Sequence, residues 1–487
     1  LDDLQRGQDE VYRTPFFNKR PIPIILGSWL KRLKRSSRLS LMPGLWEIEE
    51  AQSKKVGPFS VIPPSSKRME SVTSFWTKLE RGDPISDAAV EATQHLFQKQ
   101  SLHLWSFDQV KAKMRLNTNA GLPYFIKRRI AWDKYEKNGF IPTTPYMAVW
   151  GTRVQPGGPS ISDEKVRDVM MMPMLLNIWE SKYYYPLLQY EQDNKLPFSV
   201  TTLRDTEIDV TKLFDTKGDN PVVNTDFSKF DQHYNEVMQD ATQKVLLYAF
   251  SVSAHREILN TFKVKYNIPL LISSDTAIFG PHGMGSGATG TNPDENLGHK
   301  SLQFEAAMDN DEELNPNSQC LGDDGILSFR NITVEKVISS YTKHGLEMNA
   351  AKQYVDKHST YYLQRYYHDS YRDRQQVMVG VYSTCRALGR LLAQERFYDP
   401  ELWSATNVEL RALQILENCK NHPLFHEFID FVREGDKYDL GRKIPGFAQN
   451  IQENYEQYKA NFGNDSYTAQ NETTSILDWE VVKYLFG

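Results

Sequence analysis

The feature that most restricts the fold of this chain is a pair of adjacent aspartates between two glycines, Gly322-Asp323-Asp324-Gly325. A short mixed run precedes the pair and an alternating apolar run follows it, which predicts a β-hairpin with both acids on its turn. Neighbouring carboxylates repel each other, so holding both ionised is unfavourable without a cation between them. A hard ion such as Mg2+ takes carboxylate oxygens and keeps positions for water and phosphate. The motif alone is equally consistent with a solvated Asp-rich turn, because Asp and Gly are common turn residues.

A second carboxylate motif lies about a hundred residues upstream. Val222 and Val223 precede Asp226, and Asp231 follows five residues later. The pattern predicts a strand that ends at Asp226 and a helix from Asn235 to Phe250. Asp226 and Asp323 could then share metal ions, and two ions about 3.5–4 Å apart would serve an in-line phosphoryl displacement. These spacings predict phosphoryl transfer by positioning and charge.

Two loops in the first half of the chain carry cations beside glycine. One loop contains Thr118, Asn119, Ala120 and Gly121 and leads into three consecutive basic residues. The other is the Gly/Pro segment 156–159, flanked by Arg153 on one side and by Lys165 and Arg167 on the other. Spaced cations around a flexible loop suit a triphosphate, whose oxygens accept several point charges and forked donors. Each loop taken alone is also typical of an ordinary surface loop.

A glycine-dense segment, residues 282–291, lies between the two carboxylate motifs and leads into a predicted helix that begins near Pro293. Its hydroxyls at Ser286 and Thr291 could bind sugar or phosphate. Further along, a helix is predicted from Thr333 to His344 with Gly345 as its C′ residue. The aromatic run from Tyr361 to Tyr367 predicts a buried strand or hairpin. An earlier helix is predicted over Asp83–Lys99.

The composition is that of an ordinary globular protein. The chain has 487 residues, with 57 Lys and Arg against 62 Asp and Glu, a net charge of −5 and a pI near 6.2. This balance excludes a uniformly basic surface, although a basic channel inside an acidic shell remains compatible with it. Three scattered cysteines favour a reduced setting, and no apolar run is long enough to cross a bilayer. The basic segment Asn18–Ser40 is predicted to be a surface strap or a solvated face, with RNA contact as the alternative.

The order of these motifs from Asn117 to Tyr367 resembles that of viral RNA-dependent RNA polymerases, and most of all those of small double-stranded RNA viruses of the picobirnavirus and partitivirus type. The resemblance is carried by a Thr-x-Ala-Gly-x-Pro loop, a basic fingertip, an Asp-x4-Asp element, a Ser-Gly-x3-Thr loop and a Gly-Asp-Asp turn. It implies Asp226, Asp323 and Asp324 as catalytic metal ligands for Mg2+ or Mn2+, with Asp324 the weaker one. Lys352 resembles the general acid for pyrophosphate, and Leu363–Tyr367 the primer grip.

The resemblance also implies binding residues for nucleotide and template. Those for the nucleoside triphosphate (NTP) are Arg153, Lys165, Arg167, Asp231, Ser286, Gly287, Thr291 and Asn296. Those for the template are Thr118, Asn119, Ala120 and Gly121. Many relatives have an Asn four residues after the Thr, where this chain has Glu295. Asn296 and Asn292 therefore compete for the role of reading the ribose with Asp231.

The resemblance implies an α+β fold, a closed right hand with an antiparallel palm sheet and mostly helical surroundings. The expected parts are an N-terminal extension (1–50), fingers (51–205), palm (206–240), a fingers insertion (241–277), palm (278–376) and a thumb with a C-terminal tail (377–487). The tail, polar over Asn464–Thr474 and apolar from Ile476 to Phe486, is expected to fold back towards the product channel.

The implied activity is replication and transcription of a viral, double-stranded RNA genome by two-metal transfer from NTPs. Expected partners are template RNA, nascent RNA, NTPs and capsid protein, with no membrane. The enzyme is expected to be a monomer in the virion interior or host cytoplasm.

Three alternatives stay open at this point. A reverse transcriptase shares the metal carboxylates but usually has Tyr-x-Asp-Asp at the turn and a bulky aromatic residue where this chain has Asp231. In a non-catalytic RNA-binding virion protein, the basic N-terminal segment would bind RNA, and the acidic residues would be ordinary turn residues. A nucleotidyl cyclase or template-independent transferase would make products that do not depend on a template.

Overall fold

The computed structural model describes residues 6–462 and 475–487. Within these ranges the α-helices are α1 (Ile22–Arg35), α2 (Leu45–Ser53), α3 (Ser65–Thr77), α4 (Asp87–Gln94), α5 (Phe107–Lys113), α6 (Arg128–Lys137), α7 (Met174–Asp193), α8 (Leu203–Thr216), α9 (Phe230–His233), α10 (Glu236–Ala249), α11 (Val252–Lys265), α12 (Thr291–Met308), α13 (Val334–Thr342), α14 (Thr384–Leu392), α15 (Ala405–Glu417), α16 (Phe425–Glu434), α17 (Ile451–Phe462) and α18 (Glu480–Phe486). The strands are β1 (Ala148–Gln155), β2 (Lys165–Met171), β3 (Val222–Thr225), β4 (Leu270–Leu271), β5 (Ala277–Ile278), β6 (Gln319–Leu321), β7 (Asp324–Leu327), β8 (Tyr354–Asp356), β9 (Ser359–Tyr362), β10 (Arg365–His368) and β11 (Val381–Tyr382).

A four-stranded antiparallel sheet in the order β6-β7-β3-β8 lies at the centre of the chain. Side chains alternate between its faces, as a period of two requires. Val223 and Leu327 pack with the helices α10 and α12 on one face, while Val222 and Ile326 pack with α8 and the β9–β10 hairpin on the other. All four are fully buried. The sheet is therefore covered on both sides, and its strand ends carry the polar residues.

A second sheet, in the order β2-β1-β4-β5, lies on α3 and α7. Its buried face holds a polar network in which Asp168 Oδ1 accepts hydrogen bonds from Trp150 Nε1 at 2.8 Å and Arg68 Nη1 at 3.1 Å. Both ionic side chains are at most 5% exposed. A buried ion pair stays stable only when its remaining hydrogen-bonding groups are satisfied, so this network fixes the β1–β2 ribbon on its helical support.

The N-terminal basic segment is a strap across the C-terminal helices, as the sequence favoured. The apolar edge of α1, formed by Ile22, Ile25, Trp29 and Leu33, is buried among them. Trp29 Nε1 donates to Thr384 Oγ1 at 2.8 Å. Ion pairs from Arg32 to Glu434 and from Arg38 to Glu427 lie at the surface.

Hydrogen bonds join the first part of the chain to its C-terminal helices. Asn117 Nδ2, before α6, donates to Ala460 O in α17 at 2.9 Å, and Arg13 Nε donates to Leu392 O at 2.9 Å. Helix α18 buries Val481, Val482 and Leu485 among the same C-terminal helices. The apolar end of the tail thus packs on α15, where Val481 N donates to Glu417 Oε2, while segment 464–474 lies outside the described residues. Within the described ranges, no helix is both long and apolar enough to span a bilayer.

The helix predicted over Asp83–Lys99 is shorter than expected, because it covers only Asp87–Gln94. Asp83 is extended instead, and its N–H and C=O bond to Lys343 O and His344 Nδ1. Ser86 then caps the helix by accepting from Ala89 N. The helix predicted over Thr333–His344 is present with Thr333 as its N-cap, but it ends at Thr342 with Lys343 as its C-cap. Gly345, with φ 87°, therefore lies one residue beyond C′, the position predicted for it.

Glu49 in α2 joins the N-terminal extension to α14, and its replacement is expected to weaken this junction. Its carboxylate accepts from Thr384 N at 2.8 Å, Cys385 N at 3.1 Å and His422 Nε2 at 2.9 Å. Burial alone would raise the pKa of Glu49, but the bonds from His422, Ser383 and Thr384 lower it to about 2. Removing one partner of such a buried pair costs about 3 kcal/mol or more. Glu49→Gln should therefore lower the thermal midpoint by several degrees, whereas exposed Glu50→Gln should not.

The same pair gives a pH dependence with a definite sign. Because the pKa of Glu49 is lower in the folded state than its ordinary 4.5, its contribution is complete above pH 4.5 and is lost as the pH falls towards 2. The difference in midpoint between wild type and Glu49→Gln should shrink over this interval. An unchanged difference down to pH 3 would contradict the assignment.

Candidate active site

The Gly-Asp-Asp hairpin predicted from the sequence is present, and the end of β3 lies beside its turn. β6 and β7 pair through Leu321 and Asp324, with Gly322 at φ 60°. Thr225 is paired with Gly325, so the next residue of that strand, Asp226, emerges next to the turn. Burial raises the pKa of Asp226, Lys352 opposes this shift, and the neighbouring Asp323 adds to it. The structure therefore brings the two predicted metal carboxylates together.

Helix α12 holds the turn through both backbone groups of Gly322. Asn296 Oδ1 accepts from Gly322 N at 2.7 Å, and His299 Nδ1 donates to Gly322 O at 2.9 Å. The two side chains are three residues apart and so lie on one face of the helix. Burial lowers the pKa of His299 to about 4, which keeps the ring neutral. A β-carbon at Gly325 would lie only 2.7 Å from His299 Nε2, so glycine permits this close approach.

Both oxygens of the Asp324 carboxyl group accept hydrogen bonds from neighbouring strands and turns. Its Oδ1 accepts from Asn224 Nδ2 at 3.0 Å and its Oδ2 from Leu363 N at 2.8 Å, in the β9–β10 turn. Burial raises the pKa of Asp324 to about 7. This carboxyl therefore connects the central sheet to the hairpin that the sequence predicted as a primer grip. Because both of its oxygens already accept hydrogen bonds, Asp324 is expected to bind a metal ion more weakly than Asp226 and Asp323.

No three His, Cys, Asp or Glu side chains within 6–462 and 475–487 converge closely enough to hold a metal ion by themselves. The donor chemistry nevertheless fits Mg2+ or Mn2+, because Asp226 is exposed and Asp323 half-buried. Mg2+ usually binds one or two carboxylates together with substrate phosphates and water, without a cage made only of protein.

The predicted cations lie together. Arg153 pairs with Arg167 across β1 and β2, and Lys165 is two residues before Arg167. Directly opposite residues and alternate residues of antiparallel strands share a face, so all three side chains lie on one side of the ribbon. Lys165 and Lys352 both act electrostatically on Asp226. Arg153 also approaches Glu395, at 3.9 Å.

Asp231 and Glu295 form a carboxyl pair beside the turn. Asp231 lies in α9 close to Glu295, which is 3% exposed, and burial raises the pKa of Asp231. Burial and the neighbouring Asp231 raise the pKa of Glu295 well above its ordinary value. The preceding residue, Asp294, is fully buried and bonded to Lys265, Tyr184 and Tyr266, which anchors the start of α12.

The Ser-Gly-x3-Thr loop is shaped by its own threonine. Thr291 Oγ1 donates within the loop, to Gly285 O and Ala288 O at 3.1 and 3.0 Å. A side chain at Gly287 would collide with Met170 O in β2. Ser286 Oγ, in contrast, is buried without a hydrogen-bond partner in the described structure. Ser286 is therefore the hydroxyl of this loop that can take a ligand.

Comparison with known proteins decides the family. A profile described as viral RNA-dependent RNA polymerase matches residues 157–392. A protein described as a potential RNA-dependent RNA polymerase, from human picobirnavirus (strain Human/Thailand/Hy005102/-), is 40% identical over 516 residues, covering 100% of this chain and 95% of that protein. The chain belongs to the viral RNA-dependent RNA polymerase family.

Two solved structures agree with this assignment. They are crystal structures of the RNA-dependent RNA polymerase of a human picobirnavirus and of its insertion-loop deletion mutant. Each has a TM-score of 0.91 and 40% identity, covering 99% of this chain and 95% of that chain. The predicted α+β right-hand fold and the class of RNA-directed RNA polymerase are thereby confirmed. The family assignment argues against the non-catalytic and reverse-transcriptase alternatives.

The loop predicted to contact template in this polymerase presents only part of its side chains. Asn119 is exposed and Thr118 half-buried, whereas Ala120 and Gly121 are buried. Ala120 O accepts from Met174 N at the start of α7, and Asn119 Oδ1 accepts from Gly121 N. Ala120 and Gly121 therefore set the shape of the loop, and its outer side chains face solvent.

The structure adds residues that the sequence motifs did not single out. The side-chain amide of Gln353 bonds to both N and O of Asp226, each at 2.8 Å. Lys55 acts electrostatically on Asp226 and Lys165, and it lines a small pocket with Arg386 of α14. Gln353 directly follows the predicted Lys352. Lys55 and Arg386 carry no local sequence signal, because chain segments far apart bring them to this place.

Substitutions at Asn296 and Asn292 distinguish a residue that holds the turn from a residue that binds the ribose. Asn296 is 1% exposed and its oxygen is used by Gly322 N, whereas Asn292 is exposed beside the turn. Asn296→Leu should therefore lower ribonucleotide and deoxyribonucleotide incorporation alike, by about tenfold or more for a lost buried bond. Asn292→Ala should change the ratio of the two rates. A changed ratio in Asn296→Leu alone would return the ribose role to Asn296.

Proposed function

We propose that this polymerase copies an RNA template from NTPs by two-metal nucleotidyl transfer, and that it replicates and transcribes a double-stranded RNA genome. The observation that carries the proposal is that Asp226, just after β3, lies beside Asp323, in the turn between β6 and β7. Cations from separate segments of the chain face this place. Their close approach is unfavourable for the free enzyme and becomes favourable with a divalent cation between them.

Asp226 and Asp323 would hold Mg2+ or Mn2+, with Asp324 as a supporting carboxyl. When bound, such ions lower the pKa of the attacking hydroxyl and neutralise charge on the leaving phosphates. Gln353 keeps the backbone of Asp226 in place, and Asn296 and His299 do the same for the turn. Preorganised ligands of this kind need little rearrangement during the reaction.

The NTP would enter over the ribbon that carries Arg153, Lys165 and Arg167. Lys55, which follows α2, and Arg386, in α14, extend this basic surface. Lys352, exposed in the 3-10 helix Ala350–Lys352, would donate a proton from Nζ to the pyrophosphate as it leaves. The ring of cations would thus bind the triphosphate and balance the charge that develops on it.

The ribose would be bound on the side of the turn that faces away from these cations. Asp231, Ser286 Oγ and exposed Asn292 are the groups that we assign to this task, because Ser286 Oγ lacks a partner and Asn296 is already engaged. Gly287 and Thr291 then act by shaping the loop. The loop Thr118–Gly121 would contact template through its two outer side chains.

We further propose that the chain is divided into N-terminal extension, fingers, palm and thumb at the boundaries predicted from the sequence. Template RNA, nascent RNA and NTPs are the proposed partners, with capsid protein as a further one. The enzyme would work as a monomer in the virion interior or in the host cytoplasm.

The direct test is incorporation of labelled ribonucleotides on a defined RNA template with Mg2+ or Mn2+. Wild type should give a product complementary to the template, and chelation of the metal should stop it. Asp323→Asn keeps the size of the side chain and removes its charge, so activity should fall by at least about a hundredfold because metal ions contribute several kcal/mol.

Asp311→Asn is the matched control. Asp311 is exposed, and its φ of 54° is one that asparagine tolerates, so this variant should retain activity. If Asp323→Asn is as active as Asp311→Asn, the hairpin is not the catalytic centre.

A further inference from the structure

Two arginines face each other across the β1–β2 ribbon. Arg153 in β1 is directly opposite Arg167 in β2, and Lys165, two residues before Arg167, lies on the same face of the ribbon. All three side chains are exposed. Like charges directly opposite each other destabilise a pair of strands. The ribbon of the free enzyme is therefore stabilised by any anion that lies close to these cations.

The acid that approaches this face is Glu395, which follows α14. Its Oε1 lies 3.9 Å from Arg153 Nε. Among the residues that the structure describes, Glu395 is the one acid that forms an ion pair with the three cations of the ribbon. The side chains of Arg153 and Glu395 are 66% and 42% exposed, so water and salt have access to both charges.

The segment that carries Glu395 is fixed by its neighbours. Ala393 packs with Val154, the residue that follows the arginine in β1. Gln394 N donates a hydrogen bond to Tyr12 O at 3.0 Å. The backbone on the N-terminal side of Glu395 is thus held against the ribbon and against the N-terminal segment. Its carboxylate is presented to the ribbon by these contacts.

The pair between Arg153 and Glu395 is weak enough to be exchanged for another anion. A separation of 3.9 Å is too long for a hydrogen bond, and exposed ion pairs contribute little. A triphosphate carries more negative charge than one carboxylate, and its oxygens accept two parallel hydrogen bonds from a guanidinium. Arg153 therefore gains more from a triphosphate than from Glu395.

We propose that Glu395 is the counter-ion of Arg153 in the free enzyme and that the triphosphate of an incoming nucleotide replaces it. This inference rests on the proposed function, which assigns the ribbon to NTP binding. Glu395 is a positioning residue that acts only through Arg153. It holds the guanidinium before nucleotide binds and competes with the triphosphate when nucleotide arrives. Removal of its charge therefore strengthens binding, whereas loss of a purely structural contact would weaken it.

Binding of inorganic tripolyphosphate tests this exchange without the chemical reaction. Titration calorimetry on the full chain gives the Kd, with a chelator present so that metal ions take no part. Glu395→Gln keeps the size of the side chain and removes its charge. It should lower the Kd by about two- to fivefold, the range expected for an exposed ion pair.

Glu401→Gln is the matched control, because Glu401 is exposed in the same loop between α14 and α15 and the net charge changes equally. Its Kd should equal that of wild type. The proposal is overturned by an unchanged Kd in Glu395→Gln, by an equal decrease in both variants, or by the absence of tripolyphosphate binding to wild type.

A double-mutant cycle shows whether the effect passes through Arg153. In an Arg153→Gln background, Glu395→Gln should leave the Kd unchanged, because no ion pair is left to exchange. In the wild-type background, the gain should shrink as the salt concentration rises, because salt screens exposed charges. A gain of the same size without Arg153, or at every salt concentration, would contradict the exchange.

The failure of this inference is distinguishable from the failure of the proposed function. Absence of template-dependent ribonucleotide incorporation by the wild-type chain would remove the function, while the tripolyphosphate comparison would still report on Glu395. Normal incorporation by wild type, together with an unchanged KM for NTP in Glu395→Gln, would remove only the role of Glu395.

Discussion

The geometry of the candidate site depends on two hydrogen bonds by which helix α12 holds Gly322. Asn296 and His299, on the same face of α12, satisfy the N–H and C=O of Gly322. Further along the same helix, Lys300 Nζ and Gln303 Nε2 bond to Ser318 O and Gln319 O at the start of the hairpin. The hairpin is therefore held along its length by a single rigid element. These bonds hold the turn that carries Asp323 beside the end of β3, and Gly322 supplies the positive φ of 60° in that turn.

The charges of the site form two groups of opposite sign. Asp226, Asp323, Asp324, Asp231 and Glu295 gather around the turn. Cations from the segment after α2, the β1–β2 ribbon, α14 and the 3-10 helix before β8 face them. Proteins concentrate charge in this way where it is balanced by bound ions or substrate. The deeper carboxyls avoid this cost in another manner, because burial raises the pKa of Asp324 to about 7 and the pKa of Glu295 well above its ordinary value. We therefore propose Asp226 and Asp323 as the principal ligands of a divalent cation, with Asp324 in support.

Much of this could be predicted from the sequence, because the strongest signals are local. The alternation around Gly322–Gly325 specifies a hairpin, and two valines before Asp226 specify a strand that ends there. The spacing of Lys165 and Arg167 places both on one face of a strand. What could not be predicted depends on contacts between distant segments. The motif left Asn296 and Asn292 as competitors for the ribose, and the bond from Gly322 N to Asn296 Oδ1 is a contact that the motif does not reveal. Asp83 was assigned to a helix because its binding to Lys343 and His344 leaves no trace in the local pattern.

We propose that Asp226 and Asp323 together form the metal site of the polymerase. A crystal structure with Mn2+, an RNA template and a non-hydrolysable NTP, with data collected at a wavelength where manganese scatters anomalously, would show the ligands of the metal. We expect anomalous peaks in contact with both Asp226 and Asp323, and no metal in contact with Glu295. Manganese bound to the triphosphate with neither aspartate among its ligands would show that the metal site lies elsewhere.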